Sequence, residues 1–318
     1  FGSAVKAWSG LGRNYYDYPT WNVDPETQYD TDGTKNDYDM PGAVAGILWD
    51  LYDTTNDDQN GDGIGDSYSI PFSYIWDTID YYSSTDIVDF YYDLKTKHSD
   101  VNPTRCWEIY WEHGVNLDKT DPTAPSIVDY SPSPLNTWHQ TDTITIDWNP
   151  SSDDMSGIDH YEVVLYKDGS YYGTYNTGTS TYFSRSGLPS GKYTAYVYAY
   201  DRADNSRAST IGEFWLDTTD PSYSGASPTG TIYDSKADDI VLTITWTDAH
   251  SGIQNVYFTY RYSSESSYRP WQAPSSAIGS TYYYNIPVSE WKQHIGETLY
   301  WKSYACLLYT SPSPRDRG

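Results

Sequence analysis

Apolar residues recur along this chain with two different spacings, and the change of spacing divides the sequence into two parts. Between residues 41 and 113 they return every three or four positions, which is typical of helices that bury one face. The predicted helices are Pro41–Tyr52, Pro71–Ile79, Asp86–Leu94 and Arg105–His113. Gly114 follows the last of them and is a typical helix terminator. Residues 1–116 are therefore predicted to form a mainly α-helical partial domain.

From about residue 119 the spacing becomes two, as in strands with one buried face. Ile144, Ile146 and Trp148 share one face of a predicted strand, and Pro, Gly, Asp and Asn cluster between such runs, where turns are expected. The clearest predicted strands are Thr143–Trp148, Tyr161–Tyr166 and Lys192–Tyr200. The second part of the chain is therefore predicted to be all-β.

This β-rich part is repeated. The phrase LDKTDP at Leu117–Pro122 returns as LDTTDP at Leu216–Pro221, an offset of 216 − 117 = 99 residues. The phrase SGI at Ser156–Ile158 returns at Ser251–Ile253, an offset of 251 − 156 = 95 residues. A period near 100 residues is the size of one immunoglobulin-like sandwich. Two sandwiches are predicted, over 119–217 and 218–305.

The first repeat carries motifs of a known fold family. They are Trp148 on an early strand, the phrase LPSGKY at Leu188–Tyr193, and VYAYD at Val197–Asp201. With these motifs the repeat resembles fibronectin type III and related bacterial Ig-like domains. The resemblance implies a two-sheet sandwich with the tyrosine corner of the family at Tyr193. The second repeat lacks the Leu-x-x-Gly-x-Tyr phrase, and we expect it to be an incomplete sandwich.

The sequence at the end of the chain differs in character from the sequence before it. Cys306–Asp316, with the sequence CLLYTSPSPRD, resembles the translation of a sequencing adapter. We therefore expect residues 306–318 to be a non-native tail and the chain, which begins at Phe1, to be a fragment. On that expectation Cys106 is the one native cysteine, which leaves no internal disulfide framework.

The charge of the chain restricts its partners. The formal net charge of -25 repels nucleic acid, so a nucleic-acid partner is excluded, and it favours divalent cations and an extracellular or cell-surface location. No apolar run is long enough to predict a membrane span. The sequence has no Asn-x-Ser/Thr site with a residue other than Pro in the middle, which favours a prokaryotic source. The expected partner is a surface protein or a polysaccharide.

One acidic loop has the spacing of a calcium site. Oxygen-bearing side chains alternate through it, and Gly63 permits the tight turn that such a loop makes. The predicted calcium ligands are Asp58, Asn60, Asp62, the backbone carbonyl of Ile64, and Asp66. The loop resembles those of EF-hands, dockerins and thrombospondin type 3 repeats, but Ser69 stands where an EF-hand has a bidentate Glu. The alternative interpretation is a polar loop that connects two helices.

Acidic residues also lie at the predicted domain junctions. Asp118 and Asp121 precede the first sandwich, and Asp217 and Asp220 precede the second. Together with Asp201, Asp204 and Asn205 at one end of the first sandwich, they could hold a stiffening cation. Solvated linker acids are the interpretation that the sequence favours.

No catalytic residue is assigned, because the six histidines are scattered and neither H-E-x-x-H nor G-x-S-x-G occurs. The leading hypothesis is a fragment of a secreted or cell-surface protein with spacer or adhesion modules. Residues 40–115, through the phrase AVAGILWDLYD at Ala43–Asp53, also resemble the region downstream of the catalytic helix in secreted H-E-x-x-H zinc-peptidase-like proteins. That resemblance implies a non-catalytic part of a metallopeptidase. Carbohydrate-binding sandwiches with exposed Tyr and Trp are a third hypothesis.

Overall fold

A computed structural model describes residues 41–53, 68–233 and 235–308. Among these residues, the four helices that precede the β-rich part lie within a few residues of the predicted ones. They are α1 (Pro41–Asp50), α2 (Phe72–Tyr81), α3 (Ile87–Lys97) and α4 (Pro103–Glu112). No helix among the described residues is both long and apolar enough to cross a membrane.

Local capping sets where these helices begin and end. The side chain of Asp86 accepts a hydrogen bond from the backbone N–H of Asp89 at 2.8 Å, at the start of α3. The side chain of Asn102 accepts a hydrogen bond from the backbone N–H of Arg105 at 3.1 Å, and Asn102 directly precedes the proline at which α4 begins. Gly114 has a φ of 74° just beyond α4, a conformation that favours glycine. The helices enclose an apolar core that includes Leu51, Ile75, Phe90, Leu94, Trp107 and Tyr110.

The first sandwich has eight strands in two sheets. They are β1 (Ser126–Ser131), β2 (Trp138–His139), β3 (Ile144–Asn149), β4 (Ile158–Lys167), β5 (Ser170–Gly178), β6 (Tyr182–Arg185), β7 (Gly191–Asp201) and β8 (Ser206–Leu216). One sheet has the order β1-β3-β6 and the other the order β2-β8-β7-β4-β5. The division into two facing sheets is that of an immunoglobulin-like sandwich.

Strand β7 shows why this sequence folds as it does. Its residues alternate between buried and half-buried positions along its whole length, so Val197 lies in the core while Tyr198 points outward. Near its start the hydroxyl of Tyr193 donates a hydrogen bond to the backbone carbonyl of Pro189 at 2.8 Å. That contact is the predicted tyrosine corner. The fibronectin type III or Ig-like interpretation is thereby confirmed.

The second sandwich contains β9 (Ser222–Ser227), β10 (Ile240–Thr247), β11 (Ile253–Tyr262), β12 (Ser276–Ile278), β13 (Thr281–Ile286), the short helix α5 (Val288–Trp291) and β14 (Leu299–Leu307). One sheet has the order β12-β13-β10-β9, and the other consists of β11 and β14. In the first sandwich β7 lies between β4 and β8, whereas among the described residues β14 is a strand neighbour of β11 alone.

The strand pair β4–β7 of the first sandwich and the pair β11–β14 of the second align residue by residue at one end. Ile158 pairs with Asp201 in the first, and Ile253 pairs with Leu307 in the second. The next backbone bonds also match, from Arg202 to Gly157 at 3.1 Å and from Leu308 to Gly252 at 3.0 Å. Leu307 therefore stands where the first repeat has Asp201. Strand β14 also extends two residues past the predicted boundary at 305.

The helical unit and the first sandwich share a core. Ala203, on the turn between β7 and β8, belongs to the buried cluster of the helices, and Met155 packs against that cluster. The guanidinium Nη1 of Arg202 lies 3.8 Å from the carboxylate Oε1 of Glu108 on α4. The loops at this end of the sandwich therefore pack against the helical unit through Ala203 and Met155.

Candidate functional site

The structure separates the two acids of each linker. Asp118 is 1% exposed and Asp217 is 0% exposed, whereas Asp121 and Asp220 are exposed. A carboxylate is rarely buried without partners because desolvation of its charge is costly. The interpretation of all four as solvated linker acids is therefore wrong for the first acid of each pair.

Asp118 binds the linker and the first sandwich at once. Its Oδ1 accepts hydrogen bonds from the backbone N–H of Thr120 at 3.0 Å and from the Thr120 hydroxyl at 2.7 Å. Its Oδ2 accepts from the backbone N–H of Ser156 at 3.1 Å, on the loop between β3 and β4. Asn205 donates from Nδ2 to the backbone carbonyl of Asp118 at 3.4 Å. This residue therefore clamps three segments together.

Two more carboxylates approach Asp118. Oxygen atoms of Asp118, Asp153 and Asp201 all lie within 4.8 Å of one another. Asp118 and Asp201 are among the junction acids predicted from the sequence, whereas Asp153 is not. A signal for it exists in the repeat, because Asp153 and Asp248 each stand three residues before the serine of the repeated SGI phrase.

The electrostatics of this cluster are uneven. Burial alone would raise the pKa of Asp118, but hydrogen bonds from Ser156 and Thr120 outweigh burial and hold the pKa below its usual range. The pKa of Asp201 is raised, chiefly by burial and to a smaller degree by the charge of Asp118. The cluster therefore carries a firm negative charge on Asp118 and a weaker acid beside it.

The cluster could attract a cation, but its present bonds already explain its burial. One oxygen of each carboxylate accepts two hydrogen bonds within its own turn. For Asp153 the donors are the backbone N–H groups of Met155 and Gly157, both at 2.9 Å. For Asp201 they are those of Ala203 at 2.8 Å and Asn205 at 2.9 Å. Three partly engaged carboxylates fall short of the six to eight oxygens that calcium takes. We therefore assign the cluster a role in holding backbone turns together.

The junction between the sandwiches repeats the same clamp. Asp217 Oδ1 accepts from the backbone N–H of Thr219 at 3.1 Å and from its hydroxyl at 2.7 Å. Asp217 Oδ2 accepts from the backbone N–H of Ser251 at 3.1 Å. Asp248 Oδ1 accepts from the backbone N–H of His250 and of Gly252, both at 2.9 Å. The third acid is missing because Leu307 occupies its place.

Asp217 connects the two sandwiches physically. Its backbone N–H donates to the carbonyl of His139 in β2 at 3.0 Å, and the hydroxyl of Ser190 donates to its Oδ1 at 3.4 Å. Both partners belong to the first sandwich, whereas Ser251 belongs to the second. Burial alone would raise the pKa of Asp217, but hydrogen bonds from Ser251 and Thr219 hold it below the usual range. A charged side chain thus joins two modules.

The outer face of the larger first-sandwich sheet is rich in tyrosine but is not flat. His160 and Tyr200 stack with ring centroids 4.7 Å apart and planes 2° apart. Parallel rings this close must face each other, so their edges point outward. Tyr166 meets both Tyr171 and Tyr196 edge to face. The aromatic rings of this part of the sheet therefore pack against one another, either stacked or edge to face.

The helical unit holds a buried contact between a histidine and a carboxylate that was not predicted from the sequence. Nε2 of His113, just after α4, lies 2.6 Å from Oδ2 of Asp50 at the end of α1, and both side chains are buried. Gly46 leaves room for the imidazole ring, since a Cβ there would lie 2.3 Å from His113 Cε1. The buried pair joins α1 to α4.

Cys106 does not have the properties of a nucleophile. It is fully buried, and burial raises the pKa of its thiol to about 12, so the reactive thiolate is scarce at neutral pH.

The predicted calcium ligands, Asp58, Asn60, Asp62, Ile64 and Asp66, lie outside the described residues.

Comparison with known proteins finds similarity in structure but not in sequence. No protein-family model and no curated protein matches the chain. Among solved structures, a segment of two fibronectin type III domains from chicken tenascin is 15% identical, with a TM-score of 0.28, over 59% of this chain and 92% of that one. CopC from Methylosinus trichosporium OB3b is 14% identical, with a TM-score of 0.22, over 29% of this chain and 93% of that one. The strand order and the tyrosine corner of the chain itself, rather than these alignments, show that its first repeat has the fold of a fibronectin type III or Ig-like sandwich.

Proposed function

We propose that this chain is part of a secreted or cell-surface multidomain protein in which the sandwiches act as a stiff spacer. The observation that supports this proposal most strongly is that both junctions contain the same clamp. Asp118 and Asp217 each bind their own linker threonine and the serine amide of the following sandwich. A flexible linker would not need a buried carboxylate at the same place twice.

The clamp would stiffen the chain because it ties each linker to the sandwich that follows it and, at Asp217, also to the sandwich before it. Hydrogen bonds to a charged group contribute about 1.5–3 kcal/mol each, more than neutral ones. Asp217 bonds to both sandwiches, so bending at this linker would break at least one such bond. The net charge of -25 fits an extracellular setting and would keep neighbouring copies apart. The proposed partner is a surface protein or a polysaccharide.

The spacer role can be tested by double electron–electron resonance. Spin labels at exposed Ser170→Cys and Ser276→Cys, in a Cys306→Ser background, report the distance between the sandwiches. We expect a narrow distance distribution at neutral pH and a broad one after Asp217→Ala. Asp220→Ala is the matched control, because it removes an exposed acid from the same linker. A broad distribution in the unsubstituted chain would refute the proposal.

We also propose that the loop with Asp58, Asn60, Asp62, Ile64 and Asp66 binds calcium. Its support is the alternation of oxygen ligands with Gly63 at the turn. Calcium should raise the melting temperature of the helical unit, and EDTA should reverse the change. Asp62→Asn should remove the response, whereas Asp129→Asn, at an exposed strand position, should keep it. If neither calcium nor EDTA changes the melting temperature, the proposal that this loop binds calcium is wrong.

The alternative of a non-catalytic part of a zinc metallopeptidase stays a prediction. Its support is the sequence phrase at Ala43–Asp53. Recovery of the upstream reading frame tests it, since a zinc-binding H-E-x-x-H helix should lie within about a hundred residues of Phe1. An upstream frame without that helix would exclude it.

A further inference from the structure

The two junctions differ at one position of the repeated loop. Met155 and His250 each stand directly before the serine of the SGI phrase. Met155 packs against the core of the helical unit. His250 instead lies against the first sandwich, where its ring makes a T-shaped contact with the Trp138 ring, with centroids 5.8 Å apart. The same loop thus presents an apolar side chain at one junction and a titratable one at the other.

His250 also faces the clamp. Its Nδ1 lies 3.9 Å from Oδ1 of the buried Asp217 and 3.4 Å from the hydroxyl of Thr219. That hydroxyl donates its hydrogen to Asp217 Oδ1 at 2.7 Å, so towards His250 it can only accept. The hydrogen of this contact must therefore be on Nδ1 of His250. A second proton on Nε2 would make the ring a cation beside a carboxylate.

We propose that the joint between the two sandwiches is sensitive to pH, because a protonated His250 tightens the clamp made by Asp217. This inference rests on the proposed spacer function and adds its regulation. A histidine is the side chain whose charge changes between about pH 5 and 8. Hydrogen bonds from Ser251 and Thr219 lower the pKa of Asp217, so the carboxylate keeps its charge through that range.

Other charged groups nearby do not compete for this role. His139 in β2 is engaged through Nε2 with the carbonyl of Pro134 at 2.8 Å. Glu213 in β8 accepts from the indole of Trp215 at 2.8 Å, and Lys192 lies over the ring of that same Trp215 at 3.9 Å. On the loop of His250 itself, Asp248 is occupied by backbone N–H groups, and in the linker Asp220 is exposed. Asp217 is therefore the acid that a charge on His250 would meet.

Hydrogen exchange of the two serine amides tests the proposal within one molecule. The amide of Ser251 reports the clamp beside His250, and the amide of Ser156 reports the equivalent clamp beside Met155. After correction for the intrinsic effect of pH, protection at Ser251 should rise about threefold from pH 8 to pH 5.5, as for a partly exposed ion pair. Protection at Ser156 should stay constant.

His250→Met copies the first junction and should make Ser251 insensitive to pH. His250→Gln keeps a polar side chain of similar size that does not titrate, and it should also make Ser251 insensitive to pH. Two variants guard against a packing defect that affects only one of them. Equal protection of Ser251 at both pH values, or a pH response that survives both substitutions, would overturn the proposal. In either case a narrow spin-label distance distribution would leave the spacer function standing, and a broad one at both pH values would remove the spacer function itself.

Discussion

Asp217→Asn tests the clamp most directly, because it changes one atom of the carboxylate and almost none of its volume. Asp217 Oδ1 accepts hydrogen bonds from two groups of Thr219 and from the Ser190 hydroxyl, and Oδ2 accepts from the Ser251 amide. An asparagine must turn its NH₂ group towards one of these sides. Either orientation sets a donor against a donor, so at least one buried N–H loses its partner.

The expected loss follows from that geometry. An unsatisfied buried donor costs about 1–3 kcal/mol, and the bonds that remain lose the contribution of the charge. A loss of about 2 kcal/mol at the junction should lower the exchange protection of the Ser251 amide about thirtyfold, since 1.4 kcal/mol is a factor of ten. The measurement is hydrogen exchange resolved at single amides, which does not require the whole chain to unfold in one step.

Two internal controls limit the interpretation. Asp220→Asn removes the exposed acid of the same linker and should change protection at Ser251 by less than about twofold. Protection at Ser156 should be unaffected by either substitution, because its acceptor is Asp118. If Asp217→Asn and Asp220→Asn behave alike at Ser251, the carboxylate does not hold the junction, and the reasoning from buried hydrogen bonds is wrong.

Three more outcomes are expected. Tyr193→Phe removes the 2.8 Å bond to Pro189 and should cost the first sandwich about 1 kcal/mol in a denaturant titration, with unchanged strand content by circular dichroism; no loss would contradict a structural tyrosine corner. Because the folded-state pKa of Asp118 and Asp217 is lowered, their stabilisation is complete above the unfolded-state pKa of about 3.9 and declines below it, so thermal melts from pH 6 to pH 2.5 should lose the junctions first in acid. In a Cys306→Ser background, Cys106, with a pKa of about 12, should resist a thiol reagent at pH 8 until the helical unit unfolds, and rapid labelling of that folded variant would contradict the burial of Cys106.

Much of the architecture is already determined by the sequence. The helical and strand spacings depend on neighbours a few residues apart, so α1 to α4 and strands such as β7 follow from the local pattern. The repeated phrases at Leu117 and Leu216 predict two sandwiches. The Tyr193 corner is equally local, because its partner Pro189 lies four residues away in the same turn.

The candidate site depended on contacts that no local pattern contains. Asp118 and Asp121 look alike in the sequence, yet one is buried and the other exposed, because only Asp118 meets the Ser156 amide 38 residues further on. Asp153 joins Asp118 and Asp201 only when three separate turns fold against one another. Burial of a charge is decided by donors brought from distant segments, so tertiary structure, rather than composition or spacing, determined which acids hold the junctions.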